Sequence, residues 1–152
     1  MNNKTFFSSE KPLRRKWYLV DCAGKSLGRM SSIVTAILQG KHKLWYKSSD
    51  DLGDCVILIN AMDLRLGNTK RRTYVFNPGR PGKSLTSKQI SEDVPERVIK
   101  NCIKNMMKKG SAKRNLAKRI KIYTTSYHPH TAQTPIYLKK DEEIKIYKTM
   151  NV

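Results

Sequence analysis

Between Trp17 and Lys43 the apolar positions follow two rhythms. Trp17–Cys22 is a short run of aromatic and β-branched residues, which predicts a buried strand. Ala23-Gly24-Lys25-Ser26 breaks the run. Leu27, Met30, Ile33, Val34, Ile37 and Leu38 then recur at intervals that place them on one stripe of a helix. Ser26 is the expected N-cap and Gly40 the expected C-terminal stop. Cys55–Asn60 (CVILIN) is a second apolar run and a second strand. Strand, helix and strand make a βαβ unit with a right-handed crossover, and this unit is the expected core.

The remaining elements are read the same way. Arg72–Phe76 (RTYVF) predicts a strand, and Asn77–Lys83, dense in Pro and Gly, a loop. Thr86 or Ser87 is placed as the cap of a short helix ending near Asp93. Pro95 suits the first turn of a better helix. Its stripe is Val94, Val98, Ile99, Cys102, Ile103, Met106 and Met107, and Gly110 stops it. Ala112–Arg119 reads as a short basic helix, Ile120–Thr124 as a core strand and Tyr127–His130 as a loop. Ile136–Val152 is left open between strand and helix. The organisation is an arm over residues 1–16, one domain over 17–135 and an extension over 136–152.

A chain of 152 residues supports one domain with a real core. Its formal net charge of +19 narrows the choice of partner, because such a chain repels itself until a polyanion neutralises it. A membrane-surface role needs a long helix with a free apolar face, and both good helices spend theirs on a sheet. No apolar run is long enough to span a bilayer. The first residues lack the apolar stretch of a secretory signal, so the protein is expected to act where it is made or to have lost a presequence. Cys22, Cys55 and Cys102 lie far apart on apolar elements and read as small buried hydrophobes, not as zinc ligands.

The placement of charge says more than its sum. Between Asp63 and Glu92 there is no acid, yet Arg65, Lys70, Arg71, Arg72, Arg80, Lys83 and Lys88 fall there. The stretch from Arg97 to Lys140 is again acid-free and dense in Lys and Arg. Soluble surfaces normally intersperse the signs, so phosphate neutralisation is the better account. The candidate phosphate contacts are Arg14, Arg15 and Lys16 in the arm, with Lys70, Arg71, Arg72, Arg80 and Lys83 in the first acid-free stretch. Lys108, Lys109, Lys113, Arg114, Lys118 and Arg119 are those in the second. Aromatics sit mostly on strands, with Trp45, Tyr46 and Tyr127 the exceptions. The expected ligand is therefore folded RNA, read by shape and phosphate with a few inserted loop residues.

Two features suggest an enzyme and do not hold. Gly24-Lys25-Ser26 lies between a strand and a helix, but a phosphate loop needs a glycine where Leu19 stands. The start of that helix remains a candidate for one RNA phosphate. His128 and His130 flank Pro129 without a nearby carboxylate or cysteine, so no metal is expected. No serine stands in a nucleophile-elbow context. The acids Asp50, Asp51 and Asp54 read as turn and cap chemistry. No cofactor and no small-molecule substrate is expected.

Several of these stretches together resemble the bacterial-type ribosomal protein thirteen family of the large subunit. They are Trp17-Tyr18-Leu19-Val20-Asp21, Leu27-Gly28-Arg29, Gly40-Lys41-His42-Lys43, Gly53-Asp54, Val56–Ala61, Pro95–Ile99, Lys121-Ile122-Tyr123, His128-Pro129-His130, Ala132-Gln133 and Pro135. The resemblance runs from about residue 17 to 135. It implies a three-layer α/β/α domain around a small, mainly parallel sheet. It also implies a non-enzymatic protein that binds large-subunit rRNA, sits beside neighbouring large-subunit ribosomal proteins and supports early assembly. It carries rRNA contact onto Lys41, His42, Lys43, His128 and His130. Asn77–Lys83 and Met106–Arg114 depart from the family pattern, and the tail runs past its usual end. Heavy Lys, Asn and Ile usage fits an organelle, a chloroplast ahead of a mitochondrion, or a compact bacterial genome. The rival function is an RNA chaperone or translational regulator acting off the ribosome.

Overall fold

The computed structural model describes residues 15–44, 46–67, 73–76, 79–89 and 94–138. Arg14, Lys70, Arg71, Arg72 and Trp45 lie outside them, as do most of the arm and of the 136–152 extension. Strand β1 is Trp17–Asp21, helix α1 Leu27–Gln39 and strand β2 Cys55–Ile59. β1 and β2 pair in parallel, Trp17 opposite Cys55 and Asp21 opposite Ile59, so the expected βαβ unit is present. Strand β5 (Ile120–Ile122) adds to the far edge of β2, and strand β6 (Ile136–Tyr137) to the free edge of β1. The sheet order is β5-β2-β1-β6, with every neighbour parallel. The open question over Ile136 is thus settled for its first two residues as a strand. This is an α/β domain.

All five β2 residues are buried, as a central parallel strand requires. Val56 and Leu58 join Val20, Ile120 and the stripes of α1 and α2 (Pro95–Met106) in one core. Alternation turns Trp17, Leu19, Cys55 and Ile57 to the second face. There the His130 ring lies 5.3 Å from that of Trp17, and its Nε2 lies 2.8 Å from the Tyr123 hydroxyl. On α2 the stripe is narrower than its sequence suggests. Val98, Ile99, Ile103 and Met107 are buried, whereas Val94 and Met106 are exposed.

The helix ends explain the connections. Ser26 takes the extended conformation of an N-cap, but its hydroxyl makes no capping bond. Leu27 N–H instead donates to Arg65 O (3.1 Å), so the first amide of α1 is bonded within the fold. At the other end Gly40 adopts φ 76°, with Gly40 N–H on Ile37 O and Lys41 N–H on Ala36 O. That double bond pattern is a Schellman stop, and it needs a residue at ease with positive φ. A Cβ at Gly53 would lie 1.7 Å from the Leu38 carbonyl oxygen. Gly53→Ala is therefore expected to destabilise by about 2 kcal/mol or more, because backbone must move. Urea unfolding of the variant measures it; an unchanged midpoint would show that the loop shifts freely.

One expectation is corrected. Thr86–Gln89 is not the start of a helix but strand β4, paired antiparallel with β3 (Thr73–Phe76). The loop chemistry decides this. Pro81 and Gly82 (φ 83°) occupy the middle of a turn closed by Lys83 N–H on Arg80 O (3.3 Å), as a type II turn demands. The returning chain then finds β3 as a partner, which overrides the local capping signal.

Candidate nucleic-acid interface

The polar face of α2 and the short helix α3 (Ser111–Lys118) enclose a cationic groove. Lys100 and Lys104 are one turn apart on α2, away from Val98, Ile99 and Ile103. Lys113, Arg114 and Lys118 come from α3, and Gly110 and Ala117 complete the lining. The groove holds about 420 Å³ and, among the described residues, has no carboxylate in its wall. Five like charges converging on one concave surface raise a potential that attracts polyanions. Three of the five were expected from the sequence. Lys100 and Lys104 were missed, although their spacing of four within the acid-free stretch that begins at Arg97 was a readable signal.

The Lys41–Asp54 connection uses its charges differently. Asp54 is fully buried and accepts from Lys16 N–H (3.0 Å) and Lys43 Nζ (2.8 Å). Lys43 Nζ also donates to Leu52 O (2.7 Å). His42 Nε2 lies 3.1 Å from the other Asp54 oxygen, off hydrogen-bond alignment, and its ring stands edge-on to Tyr18. Burial pushes the Asp54 carboxyl up, but the His42 imidazole, the Lys43 ammonium and the Lys16 amide outweigh it. Together they hold the group below the ordinary 3.8. Arg119 forks onto Asp51, with Nη1 2.7 Å from Oδ1 and Nη2 on Oδ2, and Nη1 also reaches Gly53 O (3.3 Å). That hydrogen bonding lowers Asp51 against the effect of its burial and raises Arg119. Arg15 adds a longer contact to Asp51 (3.4 Å). Asp51 and Asp54 thus anchor cations inside the fold, a larger role than turn chemistry.

The expected contact residues therefore divide. Lys41, Arg80, Lys83, Lys108, Lys109, Arg114 and Lys118 are exposed, and Lys113 is half-buried at the groove. Lys108 Nζ reaches Ser48 Oγ (3.1 Å). Arg80 and Lys83 flank the hairpin turn, remote in sequence from α3. Lys16 exposes its side chain while its amide serves Asp54. Lys43, His42 and Arg119 are largely turned inward, the Arg119 side chain being 11% exposed. His130 is engaged with Trp17 and Tyr123, and His128 is half-buried.

Residues 15–129 match the family model of Ribosomal protein L13. The chain belongs to the ribosomal protein L13 family. The large ribosomal subunit protein uL13c of Trieres chinensis is 40% identical over 136 residues, covering 90% of this chain and 96% of that protein. The uL13 of Dictyoglomus thermophilum is also 40% identical over 136 residues, covering 87% and 96%. That of Thermotoga maritima is 42% identical over 136 residues, covering 87% and 91%. In this L13-family chain the matched stretch contains the whole α2–α3 groove and both anchoring aspartates. His130 and β6 lie just beyond it.

Proposed function

We propose that this chain is a structural constituent of the large ribosomal subunit, holding large-subunit rRNA through its cationic surfaces and supporting early assembly of the particle. The observation that carries the reading is the acid-free groove between α2 and α3, in a member of the L13 family. Helix-borne Lys and Arg neutralise phosphates without reading base edges, and their rigid spacing selects RNA by shape. The hairpin tip with Arg80 and Lys83 offers a second contact, at a distance along the chain. The arm over 1–16 adds Arg14, Arg15 and Lys16 as further basic contacts, whereas the 136–152 extension mixes both signs. Neighbouring ribosomal proteins complete the surroundings. The role is non-enzymatic. The setting is a ribosome of bacterial type, in an organelle (a chloroplast ahead of a mitochondrion) or in bacterial cytoplasm.

The test is the salt dependence of binding to large-subunit rRNA. Each neutralised phosphate contributes about −0.7 to −0.9 to the slope of log K against log salt. Five groove contacts alone give a slope of about −4. A slope near zero overturns the electrostatic reading. Stoichiometric sedimentation with large subunits supports the ribosomal assignment, and retained RNA binding without such sedimentation moves the function off the ribosome.

A further inference from the structure

A second depression lies on the other side of α3. Its lining includes Leu38 at the end of α1, Tyr46 and Asp50 of the following loop, and Met107 and Leu116. Leu38 and Met107 are buried and Leu116 is half-buried, so the floor is apolar. Tyr46 is 36% exposed and forms part of the wall. The volume is about 290 Å³, which suits one small planar group and excludes a helix or a duplex. Asp50 and Asp51 are also in the lining, but Asp51 is already forked by Arg119 and touched by Arg15, and Lys47 lies beside them. Lys108 and Lys113 also line it and suit a phosphate next to the occupant. Lys113 lines both this pocket and the cationic groove.

We propose that this pocket receives one unstacked nucleobase of the RNA whose backbone runs along the α2–α3 groove. The inference rests on the rRNA reading above. An apolar floor and an aromatic wall accept the face of any base. α3 thus carries phosphate contacts on one flank and a base site on the other, and Lys113 links them.

The experiment uses the full chain at low ionic strength with two short single strands of equal length, one RNA and one abasic. The methyl NMR signal of Met107 reports occupancy. The RNA is expected to shift that signal, and the abasic strand to bind while leaving it in place. Tyr46→Ala is expected to weaken RNA binding about tenfold, the size of one lost base–aromatic contact, and to leave abasic binding unchanged. If the abasic strand shifts Met107 equally, or Tyr46→Ala weakens both strands alike, the base site is wrong and phosphate binding stands. If neither strand binds, the rRNA reading falls with it.

Discussion

Asp54→Ala is expected to destabilise the protein by about 3–5 kcal/mol, the usual effect of removing one partner from a buried ion pair. Lys43 Nζ, His42 and the Lys16 amide converge on this carboxylate, which is itself fully buried. Without it the Lys43 ammonium keeps, among the described residues, only the Leu52 carbonyl. At roughly 3 °C per kcal/mol for a chain of this size, the melting midpoint falls by about 10 °C. Asp63→Ala, at an exposed position, is the control and stays within about 0.5 kcal/mol. The same site sets an acid dependence. The folded carboxyl titrates below the ordinary 3.8, so its stabilisation is complete above that value. It is lost as pH falls from about 3.8 through the lower folded value. Asp54→Asn should remove that share and flatten the curve of midpoint against pH. Parallel acid losses in wild type and Asp54→Asn would show that the contacts contribute nothing.

The second large effect concerns RNA. Replacing Lys104, Lys113 and Lys118 together by alanine is expected to reduce the salt slope for rRNA by about 2 to 3 and affinity at 0.1 M salt by about a hundredfold. Alanine keeps both helices intact, so circular dichroism should be unchanged. The matched control removes Arg29, Arg65 and Lys121, which are exposed on other elements. Both triple variants carry the same net charge. An equal loss in the control would mean that binding follows total charge and that the groove is not the interface.

Much of the scaffold was legible because two periodicities dominate it. The all-apolar β2 and the stripe of α1 leave little freedom, and Gly40 marks the stop where it was read. Thr86–Gln89 was misread because a local capping signal competes with a partner strand that only the Pro81-Gly82 turn brings back. Val94 and Met106 fit the α2 stripe in sequence, yet both are left exposed in the fold. The site was legible as a charge map and not as geometry. Sequence cannot distinguish Arg114, exposed at the groove, from Arg119, which is committed to Asp51 sixty-eight residues away. The same holds for Lys43 and Asp54, whose pairing depends on how the 41–54 connection closes. Lys100 and Lys104 went unnoticed because sequence does not show that α2 and α3 lie side by side and form one groove.

β6 has a consequence for how the polypeptide is made. β1 is synthesised early, but the strand that covers its free edge is Ile136–Tyr137. While ribosomes are still translating the intervening residues, that edge presents unpaired amides and carbonyls to whatever is nearby. The nascent β1–α1–β2 unit must therefore wait for almost the whole described chain before its sheet is complete, and during that interval early docking on RNA or a chaperone has the most to protect.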